Sequence, residues 1–366
     1  MSNIYGIRRR KMRRQRRIIV GLCITICFLS VITGVYFIVS LMNRNATPSS
    51  VTQATASSIA DVSSAPVLTG TESSQTSSSV PNDTSGQTVT PEQRTAALNS
   101  LKSAISTLLD SQSGRYSAYY VNLANGETLG YNESSPMVAA SSIKIAFNTD
   151  LYKQAAAGLL SMDTAMQYNS APYPQGDFEA GTGSIQTSAD GTSYTLSDLS
   201  HLSITISDNC ATNMILRYLG GVDKVNEYMS GISAVVNYRI AASYTDYLGQ
   251  TQSGKQRTSA VDLAMYAKDL YTLDKASPDD YAVLIDDLSH TEYNWGIPAG
   301  VPSAYPVAHK VGFNPSYGSN NDVGIVFAQE DYILCVMTES GDGAKAQDLI
   351  GQVSKLVSDY ITSCYS

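Results

Sequence analysis

The chain of 366 residues carries a net charge of −8, but nine of its 24 Lys and Arg fall in residues 1–44, where there is no Asp or Glu. The rest holds 15 basic against 32 acidic residues, and that net of −17 argues against nucleic acid as its partner. Three His and no His-Glu-x-x-His give no basis for a catalytic zinc site.

Residues 1–17 are basic and residues 18–42 contain no charged side chain. Such a length suits a tilted membrane-spanning helix, and the basic flank predicts that the C-terminal bulk lies outside the cell. A cleaved signal peptide would have a shorter apolar core and a small-residue cleavage site, which residues 40–46 do not offer. An uncleaved anchor is therefore expected. Residues 43–90 are rich in Ser and Thr and cannot bury enough apolar surface to order themselves. As a flexible coil they would span roughly 35–40 Å.

A folded domain is expected over 91–366. Thr90-Pro91-Glu92-Gln93 reads as a helix start with a capping box. Ala97, Leu98, Leu101, Ile105, Leu108 and Leu109 then repeat at helical spacing. Residues 117–123 and 127–131 read as strands around the turn Asn125-Gly126. Next comes Ser141-Ser142-Ile143-Lys144, in which a Ser and a Lys three apart share a helix face. A buried Lys there, with its pKa lowered, can take the serine proton. Alone the motif is weak, since a capping Ser and a surface Lys give the same letters.

The apolar run 202–206 leads to Ser207-Asp208-Asn209, which also suits an ordinary helix cap before a helix over 210–219. His309-Lys310-Val311-Gly312 places a positive charge on a strand edge and a glycine where backbone can approach closely. Strands over 322–328 and 332–338 follow. A last helix then presents Leu349, Ile350, Val353, Leu356, Val357 and Ile361 on one face. The order predicts an α+β fold, an antiparallel sheet joined by both chain ends plus a helical lobe, without internal repeats. Cys210, Cys335 and Cys364 match no metal or disulfide spacing and read as buried free thiols.

In this order the three motifs resemble the S-x-x-K, S-D-N and K-T-G signature of class A β-lactamases and penicillin-binding proteins. Tyr131-Asn132-Glu133, Pro136-Met137, Leu219-Gly220-Gly221, Ile297-Pro298-Ala299-Gly300 and Asn321-Asp322-Val323-Gly324 extend the resemblance over nearly all of 94–366. It implies a two-lobed fold with a five-stranded antiparallel sheet and a site between the lobes. It implies that Ser141 attacks a β-lactam or a D-Ala-D-Ala-like wall peptide, with Lys144 as base and Ser207 as proton shuttle. Asn209 would touch substrate and Lys144, Lys310 would stabilise the site electrostatically, and the N–H groups of Ser141 and Phe313 beside Gly312 would hold the oxyanion. No cofactor is implied, and a monomer is expected.

Two departures stand out. Class A β-lactamases use a Glu of an E-x-x-L-N motif for deacylation, and residues 236–259 contain no Glu. Asp246 is the nearest carboxylate and reads better as a solvated loop residue. Val311 replaces a hydroxyl side chain that binds the substrate carboxylate, a loss of about 0.5–1.5 kcal/mol. Three readings follow: a β-lactamase with altered turnover, a D,D-peptidase or wall-peptide hydrolase, or a module that acylates and stops or only binds.

Overall fold

The computed structural model describes residues 89–365; the basic segment, the anchor and most of the Ser/Thr-rich linker lie outside the described residues. Helix α1 (Pro91–Asp110) starts on the expected capping box, with the Thr90 side chain accepting from the Gln93 N–H and the Gln93 side chain accepting from the Thr90 N–H. Strands β1 (Arg115–Asn122) and β2 (Thr128–Tyr131) form a hairpin. Its turn runs through Gly126 at a φ of 78°, which a side chain would disfavour. The short strand β3 (Met137–Val138) leads through a 3₁₀ turn (Ala140–Ile143) into α2 (Lys144–Ala156).

The helical lobe follows. Strands β4 (Ala165–Gln167) and β5 (Ser193–Thr195) pair before α3 (Leu196–Thr205), α4 (Asn209–Tyr218) and α5 (Val222–Ile232). The expected apolar run at 202–206 is thus the end of a helix, because Leu199, Ser203 and Ile204 continue its buried face. A hairpin of β6 (Ala242–Thr245) and β7 (Thr251–Gly254) precedes β8 (Arg257–Thr258), α6 (Ala260–Ala276) and α7 (Pro278–Ser289).

Strands β9 (Val307–Asn314), β10 (Ser319–Val326) and β11 (Tyr332–Glu339) return the chain to the sheet, and α8 (Gly343–Ser363) closes it. The sheet is antiparallel in the order β2-β1-β11-β10-β9, so strands from both ends of the domain meet at β1 and β11. Both of its faces are covered. Tyr116, Ala118, Tyr120, Leu334 and Val336 pack with α1 and α8, whereas Val121, Ile333, Cys335 and Met337 pack with the helical lobe. This period-two division explains why β10 and β11 are buried along their whole length. Leu349, Ile350, Val353, Val357 and Ile361 of α8 are buried as expected, each burial being worth about 1.5–3 kcal/mol.

The start of α1 is pinned electrostatically. Arg94 pairs with Glu127 at 2.9 Å and with Glu330 at 2.5 Å, joining the helix to the turns at one end of the sheet. Strand β9 is the sheet edge, and the 3₁₀ turn bearing Ser141 packs against it. That contact places the cleft between sheet and helical lobe. No helix among the described residues is long and apolar enough to cross a membrane.

Candidate active site

Ser141 lies in a turn whose backbone is held from several sides. Asn321 Nδ2 donates to the carbonyls of Val138 (2.8 Å) and Ala139 (3.1 Å), and Glu339 Oε1 accepts from the Val138 N–H at 3.0 Å. Ser142 Oγ donates back to the Ala139 carbonyl at 2.6 Å. The preceding Ala140 sits at a φ of 46°, a left-handed conformation that costs a non-glycine residue about 1–3 kcal/mol. The held turn presents Ser141 at the cleft wall, where its Oγ makes no hydrogen bond with the described residues.

Lys144 is the first residue of α2 and is 5% exposed. Its Nζ donates to the Ser207 carbonyl (2.7 Å), to Asn209 Oδ1 (2.9 Å) and to Ser207 Oγ (3.3 Å). Burial disfavours its charged form and lowers its pKa to about 7, with Asp208 and Glu179 pulling weakly the other way. The S-x-x-K and S-D-N motifs are therefore joined through one amine.

The link between α3 and α4 is equally constrained. Ser207 adopts a φ of 57°, and its carbonyl also accepts from Thr182 Oγ1 at 2.6 Å. Asp208 caps α4 by accepting from the Ala211 N–H at 2.9 Å. Its other oxygen accepts from the N–H groups of Ser184 (2.6 Å) and Ile185 (2.9 Å). Asp208 is thus a backbone clamp, and it leaves Ser207 and Asn209 on either side of it facing Lys144. Asn148 extends the network, donating to the Lys144 carbonyl and to Ser203 Oγ, which pairs with Thr212.

Lys310 behaves differently from a charge on an open strand edge. It is fully buried behind the cleft wall, and its Nζ donates to the Val311 carbonyl at 3.1 Å. Burial pushes its pKa well below the usual lysine range, and the nearby Lys144 adds to the effect. The adjacent His309 is buried against Asp322, with Nδ1 3.0 Å from the carboxylate. Val311 is buried and contributes no hydroxyl.

Gly312 earns its place by contact. A Cβ there would lie 2.4 Å from the Ser142 nitrogen and 2.8 Å from the Ser141 nitrogen. The β9 edge therefore touches the start of the Ser141 turn directly, with Phe313 next along the strand and lining the cleft.

The cleft has a volume of about 250 Å³ and holds Ser141, Lys144, Asn209 and Phe313 together. It also holds Glu179, Tyr238 and Arg257, which the motif reading missed. Among the described residues Glu179 is the only carboxylate lining this cleft, and it accepts from Asn213 Nδ2 at 3.0 Å. The glycines beside it in Gly181-Thr182-Gly183, packed against Asn209 and Asp208, were the sequence signal for that segment. Asp246 is elsewhere. It closes the β6–β7 turn by accepting from the N–H groups of Leu248 (2.9 Å) and Gln250 (2.8 Å), which lower its pKa. Cys210, Cys335 and Cys364 are free and buried. Among the described residues no group of His, Cys, Asp and Glu is placed to hold a metal ion.

Comparison with known proteins identifies the family and the fold. The model of the "Beta-lactamase enzyme family" matches residues 100–361. Beta-lactamase OXY-2 of Klebsiella oxytoca is 23% identical over 278 residues, covering 72% of this chain and 90% of that protein. A beta-lactamase of Proteus vulgaris is 26% identical over 271 residues, covering 71% and 95%. The solved structure of PBP-A aligns with a TM-score of 0.62 at 26% identity, covering 73% of this chain and 97% of that one. A mutant of PBP-A, 25% identical with a TM-score of 0.61, is known as an acyl-enzyme complex with penicillin G. The fold is that of these serine hydrolases, and the chain belongs to the beta-lactamase enzyme family.

Proposed function

We propose that this protein is a serine hydrolase that takes the acyl group of a β-lactam, or of a related wall-peptide amide, onto Ser141 and releases it slowly. The observation that carries the reading is the buried Lys144 amine, lowered to a pKa of about 7 and bonded to both Ser207 and Asn209. Above that pH the neutral amine keeps two hydrogens for the Ser207 carbonyl and Asn209 Oδ1. Its lone pair is then available to the Ser141 hydroxyl three residues away.

The proton of Ser141 Oγ passes to Lys144 Nζ as Oγ attacks the carbonyl carbon. The N–H groups of Ser141 and Phe313 receive the negative oxygen, an interaction that strengthens as charge develops. When the C–N bond breaks, Ser207 Oγ gives its proton to the departing nitrogen and recovers one from Lys144. The balance is an ester at Ser141, a neutral amine that carries the proton Ser141 lost, and Lys144 neutral again. Slow release follows from the other side of the cleft, where residues 236–257 supply no carboxylate. Glu179 is occupied by Asn213. The acyl-enzyme complex described for the PBP-A mutant supports the same first half of the reaction.

The test is mass spectrometry of the full chain after exposure to a labelled penicillin, with a chromogenic cephalosporin assayed alongside. One acyl group on Ser141 and a burst near one equivalent with slow turnover are expected, both lost in Ser141→Ala. A label on another residue, or none, overturns the reading.

Attachment to the membrane through residues 18–42, with the domain outside the cell, belongs to the same proposal and rests on the sequence. The full chain should sediment with membranes, be degraded by protease added to intact cells, and become soluble without residues 1–44. Recovery of the full chain in the soluble fraction overturns it.

A further inference from the structure

Arg257 is a cation without an anion. It is 7% exposed, lines the cleft, and forms no ion pair with any described carboxylate. Its Nε donates to Tyr244 Oη at 3.2 Å and its Nη1 to the Lys255 carbonyl at 2.9 Å, while its Nη2 makes no hydrogen bond with the described residues. Two rings flank the guanidinium, Tyr244 at 5.5 Å and Tyr317 at 5.1 Å from its carbon. The other arginines nearby are matched differently: Arg115 pairs with Glu339 and Arg239 with Asp223. A buried guanidinium is costly to leave uncompensated. Its fork suits a carboxylate held by two N–H groups.

Its position relative to the nucleophile is fixed by backbone pairing. Strand β8 pairs with β3, Arg257 stands opposite Val138, and the Ala139 N–H donates to the Gln256 carbonyl at 3.4 Å. Val138 is three residues before Ser141. Gln256 holds a φ of 63°, one of the four non-glycine residues at positive φ among the described residues, which include Ala140 and Ser207 at the site itself. Strained backbone at the base of Arg257 needs surroundings that hold it, and the β3–β8 ladder supplies them.

The direction of the substrate follows from the acylation chemistry proposed above, on which this inference rests. Ser207 protonates the leaving nitrogen, so the leaving group lies toward the α3–α4 junction. The acyl portion stays with Ser141 and extends along β8 and the end of β9, where Arg257 lines the cleft with Asn314 and Tyr317. Glu179, the cleft's one carboxylate, is tied to α4 by Asn213 and does not pair with Arg257. We propose that Arg257 recognises a free carboxylate on the acyl portion of the substrate, so that the site prefers acyl donors bearing one over neutral ones of the same shape.

Benzylpenicillin and its α-carboxybenzyl analogue differ by one carboxylate on the acyl side and form the matched probe. Acylation rates of Ser141 in the full chain are measured for wild type, Arg257→Gln and Arg257→Lys. Wild type should prefer the carboxylated compound by about tenfold, as a charge-assisted pair predicts. Arg257→Gln should lose that preference with benzylpenicillin acylation held within about twofold, and Arg257→Lys should keep part of it as a point charge without the fork. Equal losses for both penicillins would mean that Arg257 only props the hairpin, and an unchanged preference in Arg257→Gln would mean that it does not touch the substrate; either overturns the proposal. Calorimetric titration with the monoamide of phenylmalonate, which cannot acylate, separates this proposal from the reading beneath it. If neither penicillin marks wild type, the acylation reading fails. Binding of that monoanion that disappears in Arg257→Gln still supports the carboxylate site, and absence of binding to wild type overturns it.

Discussion

The two walls of the cleft are built differently. On the wall of Ser141 and Lys144, the backbone is clamped by side chains from distant elements: Asn321 and Glu339 from the sheet, Thr182 and Asp208 from the helical lobe. On the wall of residues 236–257, a small hairpin is closed by its own turn at Asp246 and propped by stacked arginine and tyrosine side chains. A clamped wall fixes reacting atoms to the tolerance that catalysis needs, because each atom is positioned by more than one bond. A self-contained hairpin can change its residues without disturbing that wall. The residues proposed for acylation and the segment proposed to leave release slow therefore stand on separate pieces of scaffold.

The contrast breaks first at Lys144. Lys144→Met should lower the acylation rate by about 10²–10⁴-fold, the usual worth of a general base, with the fold kept. A fall below tenfold in stopped-flow acylation would place the base elsewhere. Gly312→Ala comes next. Its Cβ meets the nitrogens of Ser141 and Ser142, so thermal unfolding should show a loss of about 1–3 kcal/mol together with lost labelling. A variant of normal stability and rate would mean that β9 does not touch the Ser141 turn.

The pH profile is a finer probe. Because burial holds Lys144 neutral above about pH 7, the acylation rate should rise about tenfold per pH unit below 7 and level off above it. A rate that is flat from pH 5 to 9 contradicts the assignment. Asp208→Ala should cost about 1–3 kcal/mol in denaturant unfolding, since the buried N–H groups of Ala211 and Ile185 and the less buried one of Ser184 lose their acceptor. On the hairpin wall, Asp246→Asn should leave acylation and release within about twofold, as a substitution outside the cleft does. A larger effect on release alone would bring Asp246 back as the water-activating group.

Much of the clamped wall was legible in the sequence. Thr90 to Gln93 fixed where α1 begins, because a capping box is local chemistry. Ser141, Lys144, Ser207 and Asn209 were found through motif order; the Lys144 amine bonds Ser207 and Asn209, and Ser141 lines the same cleft. The depth of Lys310 was not legible, since the letter K reports charge and says nothing of what later packs over it. Glu179 and Arg257 were missed for a related reason. Neither sits in a periodic segment, and each reaches the cleft only through a long-range contact, Asn213 for one and Val138 for the other. The hairpin of β6 and β7 was also unread, because its polar residues, such as Thr251-Gln252-Ser253, show no buried alternation.

The three free thiols have a consequence of their own. The domain needs no disulfide to close, and burial raises the pKa of each thiol, so an alkylating reagent reaches them only when the protein opens. They sit at three depths. Cys364 ends the last helix, Cys210 lies in the first turn of α4 beside the Asp208 clamp, and Cys335 lies in the middle strand of the sheet. Their alkylation rates, read one by one, form a built-in gauge of fraying at the end of the chain, breathing at the clamp and global unfolding.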